Sequence, residues 1–311
     1  MGLLIKRVAK KETGTVGVGK YRPMIRSRHP SHNKLRYEIA KLPFRSVIRF
    51  GSLTELVDKS SLDGKRIELN SKEAIRNSSS KFRMKQCFTK AKVKTAEWFV
   101  YNSKGNGNNF RKQFAGSKDD TDLEGWEDFS EKILEYPIVS KHHFGSRGTG
   151  NKLHKSQAEL QDWMKDKQLD NYIFEKFVNY NKEYRLHCTK NGCFYACRKM
   201  LKTEFKDHPN AWQRHDDNSV WILEENENFD KPSNWDEIIE NCVNAVTSCG
   251  LDFGACDLRV QNNIDEDGVK RSHCDFIVIE VNSAPSFGDV TLKKYKEELP
   301  KLLIEKHNAK S

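Results

Sequence analysis

The sequence predicts an α+β protein of several lobes, and three observations carry that expectation. Near the C-terminal end the apolar, β-branched runs "GACDLRV" and "DFIVIEVNSAPSF" flank the turn-rich "QNNIDEDG", so they read as paired strands. Earlier, "EYRLHC" and "FYACRKM" flank "KNG", and an Asn-Gly dipeptide between apolar runs marks a hairpin. Amphipathic helices, clearest in "SNWDEIIENCVNAVTSCG", lie among these strands, and such a mixture packs as α+β layers.

Taken in order, residues 1–35 are rich in Lys, Arg, Gly and Pro with little periodicity, and are expected to form a basic, poorly structured lead-in. "SVIRF", Gly51, a polar segment and "KRIELN" read as a strand-helix-strand unit ending near residue 70, which places an N-terminal α/β lobe at 36–80. "SKEAIRNSSSKFRMKQCFTKAKV" reads as two short helices broken at the serine triplet, and "TAEWFVYN" as a strand. "NSKGNGNNFRKQFAGSKDDTD" reads as a loop. Helices are expected at "WEDFSEKILEY" and "SQAELQDWMKDK", the second with Ser156 and Glu159 as a capping box. Between them "YPIVSK" is a strand running into the glycine-rich "GSRGTG", and "YIFEKF" is the next strand. In the long helix before Asp257, Ser233 is the expected N-cap and Gly250 the stop.

At 311 residues the chain is long enough for two or three lobes with a substantial core. No apolar run approaches the roughly 20 residues of a membrane span, and "MGLLIKRVAKKE" lacks the apolar core of a secretory signal, so a soluble cytoplasmic protein is expected. Gly2 heads a poor myristoylation pattern, because Lys6 stands where Ser or Thr is preferred. Eight scattered cysteines, several in apolar strands, fit reduced core thiols, and Cys193 with Cys197 lacks the second pair a zinc site needs. The net charge of +10 attracts nucleic acid, acidic proteins or anionic small molecules without choosing among them.

Chemistry concentrates in a few places. In "IEVN", period-two alternation points Glu280 and Asn282 to one sheet face, and Asp257 sits on the partner strand. Two carboxylates and an amide oxygen suit hard Mg²⁺; an ordinary charged strand face is the alternative. In "GSRGTG", Gly145, Gly148 and Gly150 allow backbone amides to approach phosphate, with Ser146, Arg147 and Thr149 as further donors. The loop lacks both the G-K-[ST] ending and the dinucleotide spacing. Lys141 on the preceding strand and Lys85 on a helix are single lysines whose value depends on their company.

The order of lysines, glycine loop, linking strand, arginines and carboxylates resembles the ATP-grasp carboxylate-amine ligases across roughly residues 70–292. The resemblance implies an ATP-grasp fold, with a central lobe at 81–178 and a C-terminal lobe at 179–311 clasping ATP. It implies Lys85 and Lys141 on the phosphates, covered by the loop of Gly145, Ser146, Gly148 and Gly150. Glu175 would accept from the adenine amino group, the backbone at Lys176 and Phe177 would meet the ring edge, and Glu183 would bind ribose. Arg185 would face the reacting phosphate, Arg198 would steady the transferred phosphoryl, and Arg214 with Asn218 would continue that lining. Asp257, Glu280 and Asn282 would hold two Mg²⁺ ions, for which Mn²⁺ can substitute. The implied reaction activates a carboxylate as an acyl phosphate and joins it to an amine, releasing ADP and phosphate. "VIRFGS", "ELNSKEAI" and "EVNSAPSF" are closest to the phage-type ligases, which would act in a host cytoplasm; ribosomal-protein glutamate ligases and D-alanine:D-alanine ligases are more distant. His142 and His143 depart from the pattern, standing where related ligases have Pro and an apolar residue.

A kinase of the same fold would stop after phosphoryl transfer, and a basic nucleic-acid-binding protein would not react at all. The acid and amine partners can be small molecules, peptides or proteins, and the basic arm offers a contact for an acidic or nucleic-acid-associated partner.

Overall fold

The computed structural model describes residues 19–27, 29–55, 66–102, 109–113, 126–129, 134–145, 148–215 and 217–310. Their strands form three sheets. In the first, β1 (Met24–Ser27), β2 (Ser46–Phe50) and β3 (Ile67–Leu69) run parallel in that order, with α1 (Asn33–Glu38) after β1. Helices α2 (Lys72–Ser79) and α3 (Lys81–Lys90) follow. The second sheet contains β4 (Trp98–Asn102), β5 (Asn109–Gln113), β6 (Trp126–Phe129), β7 (Ile138–His142), β8 (Lys152–His154) and β9 (Tyr172–Lys176), with α4 (Gln157–Met164) before β9. Its order is β6-β5-β4-β9-β7-β8. The third contains β10 (Lys182–Thr189), β11 (Gly192–Leu201), β12 (Ser219–Leu223), β13 (Phe253–Val260) and β14 (Phe276–Asn282), antiparallel in the order β12-β11-β10-β13-β14. Helix α5 (Trp235–Ser248) precedes β13, and α6 (Asp289–Asn308) follows β14. No helix among the described residues is long and apolar enough to cross a membrane.

Local chemistry explains several boundaries. Ser80 is extended and ends α2, while its hydroxyl accepts from the Arg83 amide and starts α3, so the serine triplet breaks one helix and caps the next. Ser156 caps α4 through the Glu159 amide, and Glu159 reaches back to the Lys155 amide. Gly250, with φ of +79°, provides the left-handed residue after α5.

Four expectations are corrected. The lead-in is structured from residue 19: β1 joins the N-terminal sheet, and Ile25 and Leu35 are buried. A four-residue strand is too short to show alternation; residues 1–18 lie outside the described residues. "WEDF" is strand β6, not helix, and the segment read as a loop contributes β5, because pairing in a sheet overrides weak local preference. Residues 130–133 are not described, nor are 56–65, where the helix of the strand-helix-strand unit was expected. Ser233 does not cap α5; Asn234 occupies that position, and the Ser233 hydroxyl donates to the Arg271 carbonyl. Finally, α6 escaped the sequence reading. Leu292, Tyr295, Leu299, Leu302 and Leu303 form its buried stripe, and the helix continues through Pro300.

Three cores result. One face of the third sheet packs on α5 and α3 through Tyr184, Leu186, Leu258, Val278, Cys242 and Phe88. The second sheet packs on α4 through Phe110, Phe174 and Leu160. The N-terminal sheet packs on α6, together with Phe253 from β13 and the partly buried Phe194 from β11. That last core covers only one end of the third sheet's other face. The opposite end is left open and becomes the floor of a cleft.

Asn70 joins the N-terminal sheet to β13. Its side-chain amide donates to the carbonyls of Arg49 (3.3 Å) and Phe253 (3.0 Å), and its oxygen accepts from the amides of Asp252 (2.9 Å) and Phe253 (3.2 Å). It is fully buried with φ of +59°. Asn70→Ala should cost about 3 kcal/mol in denaturant unfolding, by orphaning these groups and straining the backbone. Asn70→Gly, losing the same bonds without the left-handed penalty, should recover roughly 1 kcal/mol.

Candidate active site

The cleft has a volume of about 1230 Å³ and is bounded by the second and third sheets, the segments that follow β1 and β2, the α2–α3 junction and the loop after β14. Its floor is a lattice of side chains fixed by strand register. Across one row lie Trp221, Lys199, Glu183 and Arg259, contributed by β12, β11, β10 and β13. Across the next lie Cys197, Arg185, Asp257 and Glu280, from β11, β10, β13 and β14. Positive and negative groups therefore alternate along the first row at cross-strand spacing, while the second places Asp257 and Glu280 side by side next to Arg185.

Two β-bulges decide which residues enter this lattice. In β14 the register slips between Asp257 and Leu258, leaving Ile279 as the extra residue. Alternation places Ile277 and Ile279 on the cleft side, and the slip then turns Glu280 and Asn282 to that same side, while Phe276, Val278 and Val281 stay buried. In the β10–β11 hairpin the register slips at His187 and Cys188. An unbroken hairpin would have paired Glu183 with Arg198; the slip pairs it with Lys199 instead. Arg198 thus shares the far face with Tyr184, away from the cleft, which overturns its expected role on the transferred phosphoryl. Lys199 takes the cleft position, its ammonium donating to the Arg214 carbonyl at 2.7 Å and lying 5.1 Å from the Trp221 ring centre.

Asp257, Glu280 and Asn282 converge. The Asn282 amide nitrogen lies 2.9 Å from Asp257 Oδ2 and 3.5 Å from Glu280 Oε1. Arg185 grips Asp257 through Nε (2.7 Å) and Nη2 (2.8 Å), and Lys81 Nζ stands 3.7 Å from Glu280 Oε2. Two carboxylates this close require cations, and here Arg185 and Lys81 supply them. Among the described residues no cluster of three or more His, Cys, Asp or Glu side chains is placed to hold a metal. This set has two carboxylates and an amide, and hard oxygen donors of that kind fit Mg²⁺ once the Asn282 amide turns its oxygen inward.

The lysines depart from expectation. Lys85 does not face the cleft: it is fully buried, 3.3 Å from Glu175 Oε1, and donates to Thr95 Oγ1 at 2.5 Å. One turn earlier on α3, Lys81 occupies the cleft wall and donates to the Gly145 carbonyl at 2.5 Å. The i, i+4 spacing of the two lysines was the available signal. Lys141 is on the wall and bonds Glu175 Oε2 at 2.7 Å. Glu175, expected to meet the adenine amino group, is instead the shared counter-ion of two lysines. Burial alone would raise its pKa, but Lys141 and Lys85 outweigh that and hold it below its ordinary value.

Elsewhere Lys176 and Phe177 line the cleft, but their amides are bonded to the carbonyls of Glu97 and Pro137, so neither N–H can read a ring edge. Glu183 sits between Arg214 Nη1 (3.4 Å) and Arg259 Nε (3.6 Å). Arg214 also donates to the Asn181 carbonyl, and Arg259 to that of Trp212. Asn218 is not on the wall: its side chain bonds His215 and Gln213 backbone groups and staples the loop that carries Arg214. Arg259 and Trp212 went unnoticed in the sequence for want of a motif.

In the glycine-rich loop, Gly145 and Gly148 line the cleft, and Gly148 and Gly150 have φ of +74° and +80°. A Cβ on Gly148 would come within 2.4 Å of His215 Cε1 and 2.6 Å of Gln213 Oε1, so the loop touches the third sheet's connecting segment across the cleft. Ser146 and Arg147 lie outside the described residues.

No family model matches this chain, and no curated protein matches its sequence. Solved structures do match. The chain is similar to a D-alanine–D-alanine ligase from Bacillus anthracis, with 13% identity over 93% of this chain and 97% of that one and a TM-score of 0.53. For the same ligase complexed with ATP the values are 12%, 92%, 95% and 0.54. For the D-alanine–D-alanine ligase from Coxiella burnetii they are 12%, 85%, 69% and 0.50. At this identity the likeness concerns architecture: the chain has the ATP-grasp fold.

Burial pushes the Lys85 ammonium down from 10.5 to about 8, with the Glu175 carboxylate opposing the shift. The unfolded chain keeps that proton to higher pH, so between about pH 8 and 10.5 the unfolded state binds more protons and stability rises with pH. Subtracting the curve of Lys85→Met from wild type should isolate this contribution. The difference should climb by roughly 3 kcal/mol across that window, measured by denaturant unfolding under reducing conditions.

Proposed function

We propose that the protein is an ATP-dependent carboxylate-amine ligase, forming an amide or peptide bond through an acyl phosphate. The observation that carries this reading is the meeting of Asp257, Glu280 and Asn282 with Arg185, Lys81 and Lys141 in one cleft between the sheets. Oxygen donors beside cations, under a loop of glycines, suit a triphosphate and its counter-ion. The apolar Ile277 and Ile279 on the same strand, with Phe177 and Trp212 opposite, offer a slot for a purine. Val178, the first wall residue beyond Phe177, is best placed to offer its amide to the ring edge. Glu183, steadied by two arginines, is the nearest acceptor for ribose hydroxyls.

Mg²⁺ held by Asp257, Glu280 and Asn282 would screen the phosphate charge during transfer. Lys81 and Lys141 hold the phosphate oxygens, and Arg185, fixed in plane by Asp257 and lying 4.8 Å from the Trp221 ring centre, directs its remaining N–H groups at the transferred phosphoryl. The substrate carboxylate attacks the terminal phosphorus and ADP leaves; the amine then attacks the acyl carbon and phosphate leaves. No side-chain nucleophile is required, so the protein contributes position, charge and exclusion of water. The glycine loop, tied to α3 through Lys81 and touching His215 across the cleft, supplies that exclusion. Within this class, the motifs around Gly51, Asn70 and Asn282 favour the phage-type amide-forming ligases.

Dependence on an amine separates the ligase from a kinase of the same fold. With ATP, a carboxylate and an amine, a ligase should yield an amide together with ADP and phosphate; a kinase would release ADP without the amine and form no amide. Glu280→Gln should reduce ATP-dependent turnover about 100-fold or more while changing stability by under ~1 kcal/mol, because the carboxylate lies in the open cleft. Wild-type turnover in that variant would remove the oxygen site from the mechanism. Lys81→Ala and Lys141→Ala should each weaken nucleotide binding about tenfold or more by calorimetry; unchanged affinity in both would contradict the phosphate assignment.

A further inference from the structure

At the cleft wall, where α3, β7 and β9 meet, two lysines share one carboxylate. Glu175 presents Oε1 to Lys85 at 3.3 Å and accepts from Lys141 through Oε2 at 2.7 Å. The two lysines are not equivalent. Lys85 is enclosed, its ammonium fixed also by Thr95 Oγ1, which in turn donates to the Val278 carbonyl on β14 at 2.7 Å. Lys141 lies on the cleft surface with Glu175 beside it.

We infer that Lys85 is a positioning residue for Lys141 and acts through Glu175: it keeps that carboxylate paired from behind, so that Lys141 can exchange its contact with Glu175 for a phosphate oxygen of the nucleotide. The inference rests on the nucleotide-binding reading given above. A buried carboxylate stripped of every cation is strongly unfavourable, whereas one that retains a cation is not. With Lys85 present the trio carries a net positive charge, and Lys141 is released without stranding Glu175. Without Lys85, Lys141 is the last cation within reach of Glu175 among the three, and incoming phosphate must compete with a buried carboxylate for it. At neutral pH Lys85 is still an ammonium despite its burial, and Glu175 is ionised, as the exchange requires.

This arrangement predicts a rescue that a purely structural lysine would not show. Binding of ATP with Mg²⁺ is measured by calorimetry on the full chain as wild type, Lys85→Met, Glu175→Gln and the double variant, with unfolding curves alongside. Lys85→Met should weaken binding about tenfold or more, as Lys141→Ala does. Adding Glu175→Gln should bring affinity back to within roughly threefold of wild type, because the competing carboxylate is gone. If Lys85→Met does not fold, Glu175→Gln and the double variant, which loses both charges together, carry the comparison and should bind alike. Unchanged affinity in Lys85→Met, or a double variant that binds more weakly than Glu175→Gln, overturns the inference while leaving the ligase reading standing. A wild-type protein that binds no nucleotide overturns both.

Discussion

A strand can turn only every second residue toward a given face, and the third sheet must satisfy that rule while serving two different surroundings. One face is mostly apolar and packs against α5 and α3. The other is apolar where α6 covers it and charged where the cleft lies open. Strict alternation along β14 would have carried Ile277 and Ile279 to the cleft and sent Glu280 into the core. The extra residue at Ile279 resolves the conflict by advancing the phase once, so an apolar slot and an acidic pocket lie side by side on one strand. The rest of the site is placed relative to that step.

Electrostatics then sets which groups can coexist there. Asp257, Glu280, Glu175 and Glu183 each have a cation within ion-pair distance, and Glu175 and Glu183 have two. Such pairs add little to stability once the loss of hydration is counted. Their effect is on geometry: Arg185 is held by two parallel bonds, and each lysine on the wall has a defined resting place. The cleft is ordered before a ligand arrives, which is the condition for catalysis by positioning.

Much of this was legible in the sequence because it depends on local rules. The Asn-Gly hairpin, the serine break between α2 and α3, the capping of α4 and the shared face of Glu280 and Asn282 follow from turn chemistry, caps and short-range alternation. What was missed depends on distant contacts. A bulge inside an otherwise regular hairpin exchanged Arg198 for Lys199, and no residue near Cys188 announces it. Burial separated Lys85 from Lys81, although both lie on one helix face. Acidic β6 became a strand through pairing with β5, and the lead-in became a strand through pairing with β2. In each case the deciding partner lies elsewhere in the chain, and the segment's own composition points the other way or nowhere.

The N-terminal sheet is roofed by α6, a helix contributed from the far end of the described chain. On a ribosome, strands β1 to β3 therefore emerge long before their cover, and Ile25, Ile48, Phe50 and Leu69 face solvent or a chaperone while the other two sheets are being made. This lobe is completed only when α6 arrives, although its strands precede those of the other two sheets. Gly51 and Leu53, which follow β2 and line the cleft, are therefore carried on a sheet that stays uncovered until then.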